Sequence, residues 1–468
     1  MTRNHPATPL RPAGSVLLIS CYELGHQPFG VALPLGFLER AGFEPDAMDI
    51  SVEPFDEQKI RRAAFIGIST PMHTALRLGV RVVDRIREIN PTCHICCYGL
   101  YASLNAEYLL QRGVDTCLGG EYEKPLVALI ESIDAGAAGD IAGVSRRGKT
   151  APPVLDKLSF VAPARHALPS LESYAKLEHN GRRGTVGYVE ASRGCLHSCT
   201  HCPIPPVYGG RFFVLPQEVV LEDVRRQVLA GATHITFGDP DFLNGPSHSL
   251  RVVRALHEEF PSLTFDFTAK VEHLLNRGES LREFGAAGCL FIITAVESLS
   301  DRVLTILDKQ HTHEDAVSAM RLVREAGIAP RPTWVSFTPW TTLRDFLEVL
   351  EFVETNRLID NVDPVQYSVR LLIPPGSWLA NHTETLPHRG PLDEAAFTYR
   401  WAHPDPRMDQ LQKDVAQLVA RDAENDTDAA ATFYAVRQLA LGRDPDHARC
   451  LLPLDRRRPP RLTEPWFC

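Results

Sequence analysis

The sequence predicts an α/β protein with a doubly wound parallel sheet, then a partial (β/α)6 barrel, then a helical C-terminal region. Three observations support this prediction. Short apolar runs alternate with amphipathic segments over residues 15–135, a second alternating series covers 184–380, and strand-like runs cease over 381–468. A chain of 468 residues is also too long for one ordinary core.

The first series predicts a domain with helices on both faces of a parallel sheet. Strands are expected at 16–19, 63–69, 94–97 and 114–118, with helices at 31–41, 74–89, 105–111 and 124–133. A ligand of such a sheet lies outside the carboxyl ends of its strands. Residues 1–14 are polar and proline-containing, which indicates disorder, and 136–183 lack periodicity, which indicates a linker.

The second series predicts six strand–helix units. Strands are expected at 185–191, 233–237, 263–268, 290–296, 333–337 and 365–372. The helix after Pro216 places Val220, Val224 and Val228 on one stripe and ends at Gly231. Six units in series suit an open barrel whose chemistry lies at the carboxyl ends of its strands. Helices are also expected at 408–420 and 430–441.

Composition argues against two classes of partner. The formal net charge of -9 is spread along the chain, so neither nucleic acid nor an anionic membrane is an expected partner. Apolar runs are too short to span a bilayer.

Eleven cysteines without a readable secretory signal favour a reducing cytoplasm and metal or redox use. The run Arg456–Arg457–Arg458 is expected to form a solvated loop.

The loop after the first barrel strand carries three cysteines, Cys195, Cys199 and Cys202, at Cys-x3-Cys-x2-Cys spacing. Three thiolates on one tight loop can hold three irons of a cubane cluster and leave the fourth iron open for a small molecule. A structural zinc site, with His197 or His201 as fourth ligand, remains the alternative. No second Cys-x2-Cys pair follows, which favours the iron–sulfur interpretation.

This motif resembles that of the radical S-adenosylmethionine (SAM) superfamily. His201 stands where the family places an aromatic ring beside SAM. Gly238 and Asp239 follow the second strand, where a glycine-rich loop binds the methionyl amine, although they depart from the Gly-Gly-Glu form. Glu297 ends the fourth strand, where relatives contact the ribose or methionyl group. The resemblance implies a [4Fe–4S] cluster, reductive cleavage of SAM, and an electron donor such as flavodoxin or ferredoxin.

The N-terminal domain resembles the cobalamin-binding domain of one large radical SAM class. Ser69, Gly99 and Gly120, each at the end of an expected strand, carry the resemblance and imply cobalamin as a further cofactor. The loop containing His26 does not match Asp-x-His-x-x-Gly, so His26 is expected to be a loop histidine rather than a cobalt ligand. The cysteines at 93, 96 and 97 are expected to be buried apolar residues, not a second cluster site.

The end of the chain resembles the approach to the tail of the CUAEP/CCAEP-tail radical SAM proteins. Residues 462–468 read Leu-Thr-Glu-Pro-Trp-Phe-Cys. One hypothesis is that the chain is a selenoprotein truncated at a selenocysteine codon after Cys468. The other is that Cys468 is a genuine C-terminus.

These resemblances together imply a cobalamin-dependent radical SAM enzyme, with methyl transfer to an unactivated centre as the reaction most typical of the class. A methylthiotransferase-like enzyme is one alternative. A cobalamin- or metal-binding regulatory protein without catalysis is another. The substrate, a small molecule or a peptide, is not readable from the sequence.

Overall fold

The structure is a computed structural model that describes residues 9–137 and 139–464. The tail resemblance and the selenocysteine hypothesis depend on residues 465–468, which lie outside the described residues. Within the described part of the chain, no helix combines the length and apolar character needed to cross a membrane.

The N-terminal domain contains five parallel strands in the order β2-β1-β3-β4-β5. The strands are β1 Val16–Ser20, β2 Asp46–Asp49, β3 Phe65–Ser69, β4 His94–Tyr98 and β5 Thr116–Leu118. The helices are α1 Phe29–Arg40, α2 Glu57–Arg62, α3 His73–Ile89, α4 Leu100–Leu104, α5 Ala106–Gln111 and α6 Glu123–Asp134. Helices α1 and α6 pack on one face of the sheet and α2 to α5 on the other, which confirms the doubly wound prediction.

Residues 9–14, which fall in the stretch expected to be disordered, pack against the N-terminal domain. Leu10 is 1% exposed and packs in the core beneath α1 and α6. Its backbone N–H donates to Asp134 Oδ1 at 2.7 Å. One apolar side chain and one hydrogen bond to the end of α6 hold this segment against the sheet.

Residues 136–183, expected to be a linker, pack between the two domains. Phe160 belongs to the same core as Phe29 of α1 and the barrel strands. Arg165 donates to both carboxylate oxygens of Asp223, at 2.7 and 2.8 Å, and to Gln27 Oε1 at 2.9 Å. Irregular extended chain has no apolar period, so its burial leaves no pattern in the sequence.

The second sheet has seven strands in the order β13-β12-β11-β10-β7-β6-β16. The strands from residue 176, still within the expected linker, to residue 334 are β6 Lys176–His179, β7 Arg182–Val189, β8 Ser192–Gly194, β9 Phe212–Val214, β10 His234–Phe237, β11 Thr264–Thr268, β12 Cys289–Glu297 and β13 Ala329–Trp334. The helices are α7 Ile204–Tyr208, α8 Gln217–Leu229, α9 Pro246–Glu259, α10 Val271–Asn276, α11 Gly278–Ala286, α12 Asp301–Ile306, α13 His313–Glu325 and α14 Leu343–Thr355. Five strands, β7 and β10 to β13, run parallel and form a half-barrel.

The sixth barrel strand, expected at 365–372, is not formed as a strand. A 3-10 helix covers Pro364–Tyr367, and only an isolated bridge joins Phe337 to Arg370. The Gln366 side chain accepts a hydrogen bond from the Trp334 backbone N–H at 3.0 Å. The backbone N–H of Trp334 in β13 is thus hydrogen-bonded by a side-chain amide, so it does not require a neighbouring sixth strand as its partner.

The C-terminal region is helical but also contains strands, contrary to the expectation that strands cease beyond residue 380. Its helices are α15 Pro406–Glu424 and α16 Ala429–Ala440, close to the expected positions. A hairpin of β14 Arg389–Asp393 and β15 Thr398–Trp401 precedes them, and β16 Arg461–Leu462 pairs antiparallel with β6. A two-residue strand is too short to produce a period in the sequence.

Candidate active site

The cysteine loop follows β7 and the short strand β8. Cys195 and Cys199 are buried and Cys202 is half-buried, and all three thiols are free. The structure therefore places these three predicted site residues together on one loop at the carboxyl end of the first barrel strand.

Hydrogen bonds hold this loop to the chain after α12. The Thr200 backbone N–H donates to Leu307 O at 3.1 Å, and its hydroxyl donates to Ile306 O at 2.8 Å. The Ser198 hydroxyl donates to Asp308 Oδ2 at 2.5 Å. The loop is thus preorganised before any metal binds.

Burial raises the pKa of the Cys202 thiol to about 12 and also raises that of Cys195. Thiolates in such a site require nearby positive charge, which bound iron supplies. Among the described residues, the group whose ligand atoms all lie within 4.8 Å of one another is His197, Asp241 and His273, and it contains no cysteine. The three cysteine thiols therefore do not belong to that compact three-ligand group.

Gly238 and Asp239 lie at the end of β10, against the start of the cysteine loop. Asp239 is 2% exposed and accepts hydrogen bonds from the Ala191 N–H at 2.9 Å and the Ser192 hydroxyl at 2.5 Å. Burial raises the pKa of Asp239 to about 7. A Cβ at Gly238 would lie 1.9 Å from the Tyr188 hydroxyl, so only glycine fits beside that ring.

Glu297 ends β12 in a left-handed conformation, with φ of +68°, which is uncommon outside glycine. Its Oε1 lies 3.3 Å from Lys309 Nζ and 3.4 Å from His201 Nε2. Burial alone would raise the pKa of Glu297, but the Lys309 ammonium and His201 lower it to about 2. The structure thus brings the predicted residues His201 and Glu297 together around Lys309, which sequence reasoning missed.

A second polar group, also missed, lies beside the cysteine loop. Asp241 Oδ2 is 2.8 Å from His273 Nδ1 and 3.6 Å from His197 Nε2. Burial opposes ionisation of Asp241, but its contacts with His197 and His273 lower its pKa overall. In the sequence, the signal that could have identified Asp241 is its proximity to Asp239 in the same loop.

Several buried polar atoms around the cysteine loop have no hydrogen-bond partner among the described residues. They lie on the segments that follow β8, β10 and β12 and comprise His201 Nδ1, Asn244 Nδ2, His248 Nε2 and His311 Nε2. Buried polar atoms in folded proteins are normally paired. Their concentration here fits a polar cosubstrate such as SAM, which carries an amine, a carboxylate and hydroxyls.

Ser69, Gly99 and Gly120 lie at the carboxyl ends of β3, β4 and β5. Ser69 is 1% exposed, and its hydroxyl has no hydrogen-bond partner among the described residues. Gly99 has φ of +110°, a conformation that requires glycine, and approaches the Thr70 carbonyl. Gly120 instead forms a bridge with Val154 of the interdomain segment.

A buried ionic cluster joins this sheet edge to the cysteine loop. Arg193 NH1 lies 2.7 Å from Glu123 Oε1 and 3.7 Å from Glu121 Oε2, and its Nε lies 3.1 Å from Glu190 Oε2. Burial raises the pKa of Glu121 and of Glu190 to about 7, although Arg193 opposes this. The end of β5 therefore contacts a residue that is two positions before Cys195.

The remaining predicted features concern His26 and the β4 cysteines. His26 Nε2 lies 3.2 Å from Glu464 Oε1, and the ring is tilted on Tyr188 with centroids 4.8 Å apart. Cys96 and Cys97 are buried and belong to the cores on opposite faces of the sheet. Both observations agree with the expectations for these residues.

Residues 189–353 match the sequence profile of the radical SAM superfamily. The hopanoid C-3 methylase of Methylococcus capsulatus is 25% identical over 346 residues, 72% of this chain and 65% of that protein. The putative methylthiotransferase MJ0865 of Methanocaldococcus jannaschii is 23% identical over 214 residues, 42% of this chain and 44% of that protein. The chain thus spans less than two thirds of the length of these curated relatives.

Two solved structures share the fold at low sequence identity. The radical SAM methyltransferase TsrM from Kitasatospora setae, with cobalamin and a [4Fe–4S] cluster bound, has a TM-score of 0.62 and 18% identity over 73% of each chain. The cobalamin-dependent enzyme OxsB, with aqua-cobalamin and SAM bound, has a TM-score of 0.69 and 15% identity over 90% of this chain and 72% of that one. The chain therefore shares the α/β fold of these two structures. Residues 189–353 therefore form a radical SAM domain, which implies a [4Fe–4S] cluster and SAM as cofactors.

Proposed function

We propose that this protein is a cobalamin-dependent radical SAM enzyme that transfers a methyl group to an unactivated centre. The observation that carries the proposal is the contact between Arg193 and the residues Glu121 and Glu123. Through it, the carboxyl edge of the N-terminal sheet meets the cysteine loop, so groups bound on the two domains are neighbours.

Cys195, Cys199 and Cys202 hold the cluster in this proposal. When bound, the cluster supplies an electron that cleaves the sulfonium of SAM, and methylcobalamin supplies a methyl group. Glu297 is kept ionised by Lys309, so it accepts hydrogen bonds from cosubstrate hydroxyls or its amine. His201, at 3.4 Å from Glu297, orients that carboxylate and offers a ring to the cosubstrate. Asp239 anchors the start of the cysteine loop through Ala191 and Ser192.

The N-terminal sheet edge supplies the cobalamin site in this proposal. The hydroxyls of Ser69 and Tyr98 are buried and have no hydrogen-bond partner among the described residues, so they remain available for a polar ligand. Gly99 leaves the backbone at the end of β4 open to close approach. His26 Nε2 lies against the Glu464 carboxylate, which supports the expectation that His26 is a loop histidine.

The observations favour methylation over methylthiolation. A methylthiotransferase-like enzyme would need a second cluster site. Within the described residues, the other cysteines that lie close together in the sequence are Cys93, Cys96 and Cys97. Cys96 and Cys97 project to opposite faces of β4, so they cannot share one cluster. A purely regulatory protein would form no product, so product formation distinguishes catalysis from regulation.

The test is anaerobic reconstitution of the full chain with iron, sulfide and cobalamin, followed by reaction with SAM and reduced flavodoxin. The proposal expects close to four irons per chain, bound cobalamin, and release of 5′-deoxyadenosine or S-adenosylhomocysteine. The Cys202→Ala variant loses these products, while Cys450→Ala, at a half-buried thiol outside the loop, retains them. Stoichiometric zinc without iron would contradict the proposal.

A further inference from the structure

A pocket lined mainly by arginines lies at the amino end of β7, away from the cysteine loop. Its volume is about 480 Å³. One wall is the β6–β7 hairpin and the other is the segment that leads into β16. The lining includes six arginines, namely Arg182, Arg183, Arg456, Arg457, Arg458 and Arg461.

The carboxylates around this pocket do not balance its charge. Glu178 pairs with both Arg183 and Arg461, each at 2.8 Å. Asp428 pairs with Arg456 and Arg458 at 2.9 and 2.5 Å, and Asp360 pairs with Arg456 at 2.6 Å. Six guanidinium groups therefore face three carboxylates.

Two of these six arginines have no carboxylate partner in the described part of the chain. Within the described residues, Arg182 and Arg457 form no ion pair, and both are exposed. A guanidinium stays charged at any physiological pH, so the charges repel one another permanently. The chain as a whole is negative, at -9, which makes this local excess of positive charge unusual. A bound anion would remove the repulsion.

The segment is solvated in part, as expected, because Arg457 and Arg458 are exposed, but Arg456 is not. The Arg456 side chain is only 10% exposed and is held rigidly by Asp360 and Asp428. His179 also lines the pocket, and its Nδ1 is buried without a hydrogen-bond partner among the described residues. Burial and the nearby Arg457 lower the pKa of His179, which keeps the ring neutral.

We propose that this pocket binds a phosphate-bearing small molecule. The planar fork of arginine donors matches phosphate oxygens two at a time. The volume of about 480 Å³ falls within the usual range of small-ligand sites. A long polyanion such as RNA fits less well, because the positive surface is confined to one pocket on an acidic chain.

Ligand binding here has a structural consequence. The two walls come from the barrel and from the C-terminal segment, and β16 is held to β6 by only two residue pairs. An anion that bridges Arg182 and Arg457 fastens the C-terminal segment to the barrel. Because the pocket lies at the opposite end of β7 from Cys195, the proposal is independent of the cofactor chemistry.

The test uses calorimetric titration of the full chain with pyrophosphate at low ionic strength. We expect saturable binding that weakens at least ten-fold in Arg182→Ala/Arg457→Ala. The control Arg282→Ala/Arg344→Ala removes two exposed arginines elsewhere and should bind like the parent protein. Parallel titrations with inorganic phosphate and ATP distinguish a free phosphate from a nucleotide as the source of the anion.

Hydrogen exchange provides the second readout. Pyrophosphate should slow exchange of the backbone amides at 456–462 in the parent and control proteins, but not in the pocket variant. Absence of saturable binding by all three probes would overturn the proposal. So would equal weakening in the two double variants, or an RNA oligonucleotide that binds more tightly than pyrophosphate.

Discussion

The imidazole of His26 lies 3.2 Å from the carboxylate of Glu464, a residue 438 positions later in the chain. Both side chains are largely buried, at 3% and 9% exposure. The pair joins the loop after β1 of the N-terminal domain to the chain just after β16, the edge strand of the second sheet. One contact therefore connects the two domains and the C-terminal segment.

Replacement of Glu464 by Ala should loosen this connection. The variant leaves a buried imidazole without its partner, which costs about 1–3 kcal/mol of unfolding free energy. Limited proteolysis should then cut the C-terminal segment faster than in the parent protein. Glu464→Gln keeps a hydrogen-bonding side chain and should lie between the two. Identical cleavage rates for all three proteins would show that the pair contributes nothing.

Loss of the Lys309 ammonium should destabilise the site around Glu297. Lys309→Met leaves the buried Glu297 carboxylate with only its contact to His201, and removal of one partner from such a pair costs about 3–5 kcal/mol. The pKa of Glu297 is about 2 in the fold against an ordinary value of 4.5, so the ionic stabilisation is complete above 4.5 and is lost as the pH falls towards 2. The difference between Lys309→Met and the parent protein should therefore be largest near pH 6 and shrink towards pH 2.

Urea unfolding at several pH values measures this difference. Lys309→Arg retains the charge and serves as the control. A stability difference between Lys309→Met and the parent that does not change from pH 6 to pH 2 would contradict the ionic interpretation.

Protein without cofactors should lose stability as the pH rises from 5 to 8. Burial raises the pKa of Glu23 to about 8 and of Asp239 to about 7, from ordinary values of 4.5 and 3.8. Glu121 and Glu190 are also raised to about 7. These groups hold protons in the fold that the unfolded chain has released, so stability present at low pH is lost as the pH rises through 7 to 8.

The measurement is again urea unfolding, here at half-unit intervals of pH. Glu190→Gln removes one of the titrating groups. The slope of the unfolding free energy against pH should therefore become shallower by the contribution of up to one proton. Equal slopes in the variant and the parent protein would show that Glu190 does not contribute to the loss of stability.

Asp239→Ala should reduce cluster loading several-fold. The substitution removes both hydrogen bonds that hold Ala191 and Ser192 at the start of the cysteine loop. Asp239→Asn retains one acceptor oxygen and should lose less. Iron per chain after reconstitution measures the effect, and circular dichroism checks that the variants fold. Equal iron loading in Asp239→Ala and the parent protein would show that the loop does not depend on Asp239.

The sequence by itself determined the features that depend on near neighbours along the chain. Alternating apolar runs indicated both parallel sheets, because strand and helix periods are local properties. The spacing of Cys195, Cys199 and Cys202 indicated the cluster loop for the same reason: all three thiols lie within eight residues.

Only the tertiary structure decided the contacts between distant residues. Lys309 near Glu297 and Glu464 near His26 come together only through folding. The run Arg456–Arg458 is visible in the sequence, but its position beside Arg182 and Arg183 is not. The missing sixth strand has the same origin, since the Gln366 side chain replaces a backbone partner of Trp334. A buried charge or donor must find a partner somewhere, but the sequence does not state where that partner lies.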